Sequence, residues 1–372
     1  MGGHGTAVAS IAAGDGTDRR GNIIRGSAYR AELIVVELKR VGDGNTGYTR
    51  TIDIMEGIDY TLRKAIELQK PIVINLSYGT NEGAHDGNTL FENYIADING
   101  IWKNMIVIAA GNEGESRHHV RTIVKSAENS RTEFAIGENE RDMRLFIWKY
   151  FQDEFEIFLN TPSGKRINIL ESVSINSERE NIDSVMVMPT PYNGKQLIEV
   201  QFRAGKNLNY VLPGIWGIEF EVSGKIKCGV VDMWLPTIEA IGLSTGFLRP
   251  SSDTTATIPA TAFKVLSVGA YNQTTESVAA FSGRGFTADG RLVPLVVAAG
   301  VDVLAAGYGR KTGTSFAAPL VSGYAACIME WGIVNRNDEN MYGEKLIAYI
   351  TKYADGVNGE ELPGKRQGWG LI

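Results

Sequence analysis

The sequence predicts an α/β fold with a parallel sheet, interrupted by an inserted all-β domain. Two observations carry this prediction. Strand and helix patterns alternate over residues 1–115 and again over 251–372, whereas residues 116–250 contain short β-type segments. A chain of 372 residues is long enough for two domains. We therefore expect one α/β domain built from 1–115 and 251–372, with 116–250 inserted into it.

The first α/β part is read from three strands and two helices. Within residues 27–40, the continuous apolar run from Leu33 to Val36 predicts a buried parallel strand. Apolar residues at helical spacing predict a helix over 51–69. Two further apolar strands, 71–79 and 105–111, flank a second helix over 90–104. Such alternation with short links is typical of a parallel sheet with right-handed crossovers.

The inserted part has a different texture. Between 131 and 235 the sequence alternates apolar and polar residues in short runs, separated by turn signals such as Asn193–Gly194 and Ser223–Gly224. This pattern predicts a β-sandwich or jelly-roll-like domain without a long helix. After residue 251 the α/β pattern resumes, with strands over 264–272 and 293–300 and a helix over 314–332.

Composition excludes some classes of partner. The net charge is -6 and no basic block is present, so nucleic acid is not an expected partner. No run of 18 apolar residues occurs, so we expect no membrane span. The two cysteines are far apart in sequence and have no metal-ligand or redox spacing. We expect both to be packing residues, and we expect no cofactor.

The stretch GTSFAAP at 313–319 places a serine at the start of a predicted helix. A serine hydroxyl is a weak nucleophile and needs a base beside it, while a helix N-terminus favours developing negative charge. Pro319 is tolerated on the expectation that it lies in the first helical turn, where no internal donor is lost. The competing interpretation is that Thr314 or Ser315 is an ordinary helix cap.

Two further residues could act with Ser315. His4 begins a predicted helix of small residues, whose face could pack on the small-residue face of the Ser315 helix; it could equally be an accidental polar residue. Asn112 ends an apolar strand, where its amide could donate to an oxyanion, or it could be a turn residue. The other histidines, at 85, 118 and 119, receive no role. All four histidines precede Ser315, which excludes the α/β-hydrolase order.

Three motifs in this order, HGTAVA at 4–9, AAGN at 109–112 and GTSFAAP at 313–319, resemble the subtilisin-like serine proteases. The inserted β domain is most similar to that of the germination-type subtilases of clostridia. The resemblance implies a three-layer subtilisin-like fold and peptide-bond hydrolysis through an acyl-enzyme on a peptide or protein substrate. It makes His4 the general base, Ser315 the nucleophile and Asn112 the oxyanion donor. It also implies that five residues bind the substrate: Ser77, Tyr78, Gly79, Ala110 and Gly111.

The chain departs from the family in one respect. The family order is Asp, His, Ser, yet only three residues precede His4, and no later carboxylate has the family's sequence context. We expect that the chain is cut at both ends and hydrolyses peptides poorly. The alternative is a non-catalytic relative that acts as a binding or regulatory module, and acyl transfer to an amine also stays open. Calcium is common in the family, but no ligand set can be assigned.

Overall fold

The helices form where apolar residues recur at helical spacing. The computed structural model describes residues 3–16, 21, 24–38, 49–125, 130–191 and 193–372. In this part of the chain the α-helices are α1 Gly3–Ala13, α2 Thr51–Leu68, α3 Leu90–Ile98, α4 Ile238–Ile241, α5 Thr314–Met329 and α6 Gly343–Lys352. A π-helical turn, Glu330–Val334, continues α5. Thr89 caps α3, where its side chain and that of Glu92 each accept a hydrogen bond from the other's backbone.

The strands of the described chain divide among several sheets. They are β1 Ile72–Leu76, β2 Asn104–Ala109, β3 His119–Ile123, β4 Ser130–Ile136, β5 Asp142–Tyr150, β6 Phe155–Asn160, β7 Arg166–Asn168, β8 Val173–Asn176, β9 Glu180–Val187, β10 Lys195–Ala204, β11 Gly214–Val222, β12 Val230–Trp234, β13 Gly246–Phe247, β14 Leu266–Asn272, β15 Ser277–Val278, β16 Val296–Ala299, β17 Val303–Ala305 and β18 Gly309–Lys311.

The chain forms two compact units. Unit 1 contains residues 1–79, 89–112 and 256–372, and unit 2 contains 80–88 and 113–255. The short segment 80–88 therefore belongs to unit 2, although it lies between β1 and α3 in the sequence. The chain passes from one unit to the other directly after Gly79 and Asn112, and again before Thr89 and Ala256.

Unit 1 has three layers. Strands β1, β2, β14 and β16 pair in parallel in that order, and β15 adds an antiparallel pair at the end of β14. Strand β2 is buried throughout. Its residues Met105 and Val107 pack in a core cluster with α5 and α6, whereas Ile106 and Ile108 pack with α2 and α3. Helices thus cover both faces of a parallel sheet, as its apolar strands require.

Unit 2 is an antiparallel sandwich. One sheet has the order β3-β12-β5-β10-β9-β8 and the other the order β13-β4-β11-β6-β7. Alternate residues of both sheets point into one core cluster that includes Phe134, Phe202, Trp216 and Phe220, all at most 1% exposed. The period-2 pattern of the sequence is the pattern of this core.

One predicted strand is wrong. Leu33 to Val36 form no strand, and their side chains are 37–66% exposed. Part of the apolar run packs against α2 instead: a Cβ at Gly57 of that helix would lie 3.1 Å from the Val36 side chain. A strand also needs a hydrogen-bonded neighbour, which an apolar run cannot reveal. Residues 39 and 40 of the predicted strand lie outside the described chain.

The helical stretch Thr314–Val334 has 21 residues, and an 18-residue window of it has a mean hydropathy of 1.3, so by length and composition it could cross a bilayer. In the structure 56% of that window is buried, and α5 packs in the core of unit 1. A buried core helix passes the same test, so this stretch is weak support for a membrane span.

Candidate active site

The turn into α5 sets the position of Ser315. Gly313 has a φ of 145°, a value that favours glycine, and its N–H donates to Gly300 O at 2.8 Å. Helix α5 begins at the next residue, so Ser315 lies in its first turn and is half-buried. The free N–H groups and dipole of a helix start favour negative charge at this place.

Pro319 is the sixth residue of α5 and lies beyond its first turn, so the expectation for this proline is wrong. In a regular helix the N–H of residue 319 would donate to the carbonyl of Ser315, and proline has no N–H. The hydroxyl of Ser77 donates to that carbonyl instead, at 2.8 Å. The proline therefore leaves the backbone of the serine residue free to bind the segment that follows β1.

A short polar chain continues from this contact into the interior. Asn75 Nδ2 donates to Ser77 Oγ at 3.0 Å, and Ser322 Oγ lies 2.9 Å from Asn75 Oδ1. Ser322 Oγ also lies 2.9 Å from the carbonyl of Ala318. Sequence reasoning missed Asn75 and Ser322. The sequence could have indicated both: Asn75 is a polar residue within the apolar strand IVINL, and Ser322 is a polar residue on a helix of small residues.

His4 lies at the start of α1, against the start of α5. The two helices approach closely, since a Cβ on Gly323 would lie 2.7 Å from the carbonyl of Ala12. The His4 ring is exposed, and its centroid is 5.5 Å from that of Phe316, the residue after Ser315. Small residues thus bring the histidine to the N-terminus of the serine helix.

Asn112 is tied to the same helix start. Its Oδ1 accepts hydrogen bonds from the backbone N–H and the hydroxyl of Thr314, both at 3.1 Å. The Gly111 N–H donates to the same hydroxyl at 3.1 Å. Since Oδ1 faces Thr314, the orientation of the amide is set, and its donor end is Nδ2.

The predicted substrate-binding residues follow two neighbouring parallel strands. Ser77, Tyr78 and Gly79 follow β1, whereas Ala110 and Gly111 follow β2. Because the carboxyl ends of paired parallel strands meet at one edge of the sheet, the two segments lie side by side. Ala110 is fully buried, and the other four are half-buried.

Thr257 lies between these two segments and was missed by sequence reasoning. A Cβ added to Gly79 or Gly111 would approach Thr257 Oγ1 to 2.4 or 2.5 Å, so both positions need glycine. The Thr257 N–H donates to Ala110 O at 2.9 Å. Its hydroxyl is buried and has no hydrogen-bond partner among the described residues. No sequence motif distinguishes this threonine from its neighbours.

Metal ligands are a further kind of group that a site of this sort could contain. In the part of the chain that the structure describes, no group of three or more His, Cys, Asp or Glu residues is placed to bind an ion. The side chains that the structure brings to the N-terminus of α5 include those of Ser315, His4 and Asn112.

Comparison with known proteins identifies the family. The model of the subtilase family, peptidase S8, matches residues 1–147 and 243–370, more than half of the chain. The chain belongs to the subtilase family. The predicted resemblance is therefore confirmed. The family relates this chain to serine proteases.

Individual subtilases agree with this assignment. The minor extracellular protease Vpr of Bacillus subtilis (strain 168) is 26% identical over 357 residues, covering 88% of this chain. The chain spans 39% of that relative's length. The structure of the Clostridium perfringens CspB protease matches all of this chain and 78% of that one, with a TM-score of 0.88 and 33% identity.

A more distant structure is similar in fold alone. The prenylagaramide maturation protease PagA covers all of this chain and 80% of its own, at 16% identity and a TM-score of 0.50. Together with the CspB match, these findings confirm the predicted subtilisin-like fold class.

Proposed function

We propose that the chain is a serine endopeptidase that hydrolyses peptide bonds through an acyl-enzyme on Ser315. The observation that carries the proposal is the convergence of three segments, distant in sequence, on the first turn of α5. The His4 ring is adjacent to Phe316, Asn112 accepts from Thr314, and Ser77 donates to the Ser315 carbonyl.

In this proposal each group has one role. His4 removes the proton from Ser315 Oγ as the oxygen attacks the carbonyl carbon of the peptide bond. Asn112 Nδ2 donates to the oxyanion that forms, with the helix N-terminus adding to its stabilisation. His4 then returns the proton to the leaving amine. Water, activated by the same histidine, attacks the ester and releases the acid and the free serine.

The substrate binds, in this proposal, along the segments that follow β1 and β2. Backbone groups at Gly79 and Gly111 pair with an extended peptide as an added strand, the mode in which main-chain hydrogen bonds supply affinity. Ser77 and Tyr78 shape the walls of this cleft, whereas the fully buried Ala110 is held by the hydrogen bond from the Thr257 N–H to its carbonyl. Thr257 occupies the space between the two glycines.

A fluorophosphonate tests the proposal because it reacts with activated serines. We expect labelling to be slow and to occur at Ser315 alone, as mapped by mass spectrometry of peptides, with no adduct in Ser315→Ala. His4→Ala should abolish labelling. Thr6→Ala, an exposed residue on the same helix, is the matched control and should label like the wild type.

Labelling distinguishes the first alternative from the proposal, and a peptide digest distinguishes the second. A folded chain that binds peptides but takes no label would favour a non-catalytic binding or regulatory module. Acyl transfer to an amine uses the same Ser315 ester. It is distinguished by adding an amine to the peptide digest and weighing the products: hydrolysis yields acids, whereas transfer yields amides.

A further inference from the structure

The three histidines outside the candidate site are all buried in unit 2. His85, His118 and His119 are at most 2% exposed. They lie in or near the segments that join the two units. His85 belongs to segment 80–88, and the other two lie shortly after Glu113, the first residue of the main part of unit 2. Buried histidines need partners for their ring nitrogens, and those partners indicate their charge state.

Both ring nitrogens of His118 face an acceptor oxygen. Nδ1 lies 2.9 Å from Glu113 Oε2, and Nε2 lies 3.2 Å from the carbonyl of Thr245. A neutral imidazole has one donor nitrogen, whereas a protonated ring has two. While Glu113 is a carboxylate, both contacts are hydrogen bonds only when the ring is protonated. The second carboxylate oxygen of Glu113 accepts from the Ile238 N–H at 2.9 Å.

His119 repeats this arrangement. Nδ1 lies 2.6 Å from the carbonyl of Asp253, and Nε2 lies 3.1 Å from Asp232 Oδ1. Burial alone would raise the pKa of Asp232, but hydrogen bonds from His119 and Arg121 hold that pKa well below its usual range. Asp232 is therefore a carboxylate, and a carboxylate accepts hydrogen bonds only.

Of the charged groups around the two rings, the carboxylates favour the protonated state, whereas the Arg121 guanidinium opposes it at His119. His118 faces Glu113, and Glu140 is nearby, where its carboxylate accepts from the Thr245 hydroxyl at 2.6 Å. Burial raises the pKa of Glu140, which limits its contribution. His119 faces Asp232, which Arg121 also binds through two hydrogen bonds of 2.7 and 2.9 Å.

An aromatic stack extends the cluster to segment 80–88. The Trp234 ring is stacked on His119 at a centroid distance of 4.6 Å and on His85 at 4.2 Å. The Asn81 side chain donates to the carbonyl of Leu235 at 2.9 Å. This segment begins directly after Gly79.

Three parts of the cluster lie close along the chain to residues of the candidate cleft. Glu113 directly follows Asn112, segment 80–88 directly follows Gly79, and Asp253 precedes Thr257 by four residues. Fixing these three segments within unit 2 limits the freedom of the cleft residues to which they are covalently joined.

We propose that His118 and His119 are both imidazolium ions at neutral pH and act as positioning residues for the peptidase site. His118 fixes the segment after Asn112, and His119 fixes the segment before Thr257. Together with Trp234, His119 also holds the segment after Gly79. The positioning role rests on the proposed function, whereas the charge state does not.

The charge state is tested by NMR on the full chain labelled with ¹⁵N-histidine. Long-range ¹H–¹⁵N correlations distinguish a ring with two protonated nitrogens from either neutral tautomer. The four signals are assigned with His4→Gln, His85→Gln, His118→Gln and His119→Gln. At pH 7 we expect His118 and His119 to show two protonated nitrogens. A neutral tautomer at either residue would overturn the assignment for that ring.

The positioning role is tested by amide hydrogen exchange of His118→Gln and His119→Gln. We expect at least tenfold faster exchange in 110–114 for the first variant and in 252–258 for the second, with β5 in the core of unit 2 unchanged. Equal acceleration throughout unit 2, or none in these segments, would contradict the role. This readout needs no enzymatic activity.

A pH profile of fluorophosphonate labelling links the two results. In the wild type the labelling rate should fall again at high pH, where the rings lose their second proton. In His118→Gln the rate at pH 7 should be at least tenfold lower, and the alkaline decline should become smaller, because only His119 still contributes to it. A wild-type chain without any label would refute the proposed function and leave the NMR and exchange tests standing. An unchanged profile in His118→Gln would refute the positioning role.

Discussion

At the scale of single residues, the site depends on hydrogen bonds from side chains to backbone groups that lack their usual helical partner. Pro319 removes the helical donor to the Ser315 carbonyl, and Ser77 supplies another from the end of β1. Thr314 similarly satisfies Asn112 Oδ1 with both its N–H and its hydroxyl. The polar atoms that orient the proposed nucleophile and oxyanion donor are thus hydrogen-bonded within unit 1.

Asn112 can be tested with two substitutions that separate its two ends. Asn112→Ala removes both the acceptor for Thr314 and the donor. Asn112→Asp keeps the acceptor and loses the donor. We expect either variant to slow fluorophosphonate labelling of Ser315 by about 10²–10³-fold, the effect of one oxyanion-hole donor in subtilisin. Wild-type labelling by Asn112→Asp at an unchanged melting temperature would show that Nδ2 takes no part.

Thr257 gives a stability prediction at the same scale. Valine has nearly the shape of threonine without the hydroxyl, and the Thr257 hydroxyl is buried without a partner in the described chain. Thr257→Val should therefore raise the free energy of unfolding by about 1 kcal/mol, measured by denaturant unfolding. The matched control is Thr261→Val, because the equally buried Thr261 hydroxyl donates to Glu92. It should destabilise the chain by about 1–3 kcal/mol. A destabilising Thr257→Val would indicate that this hydroxyl is hydrogen-bonded in solution.

At the scale of elements, predictability follows from where the partners of each residue lie. Helix α2 and strands β1, β2 and β14 form close to their predicted positions, because their apolar period is a local property. The sequence order of the strands then brings the residues after β1 and β2 together. The segment at 33–36 carries an equally strong apolar run and joins no sheet, because pairing depends on a neighbour that the run does not specify.

Elements whose role depends on distant partners escaped sequence reasoning. Segment 80–88 has a loop composition, rich in Gly and Asn, yet most of it is buried in unit 2. Its burial depends on Trp234 and Leu235, about 150 residues away. Likewise, Thr257 became visible only when the two glycine segments on either side of it were located. In sequence, segment 80–88 and the residues around Thr257 both look like ordinary loops.

At the scale of the whole molecule, the two units have separate cores. The large apolar cluster of the sandwich is drawn entirely from residues 120–247, and the clusters on either face of the parallel sheet are drawn from unit 1. A unit with its own core can fold by itself. Unit 2 is not one continuous stretch of sequence, because its segment 80–88 comes from the part of the chain between β1 and α3.

Residues 113–255 expressed alone should therefore fold, but with reduced stability. We expect a β-type circular dichroism spectrum and a cooperative thermal transition, because the core of the sandwich is complete. The melting temperature should be below that of the same transition in the full chain, since Trp234 loses the His85 ring stacked on it.

In the full chain, His85→Ala should lower the free energy of unfolding by at least about 1 kcal/mol, as expected for an aromatic pair. The Trp234→Ala substitution should then destabilise 113–255 less than the full chain, because one of its two stacking partners is already missing. A non-cooperative melt, a helical spectrum or an equal effect of Trp234→Ala in both proteins would contradict the separation of the cores or the role of segment 80–88.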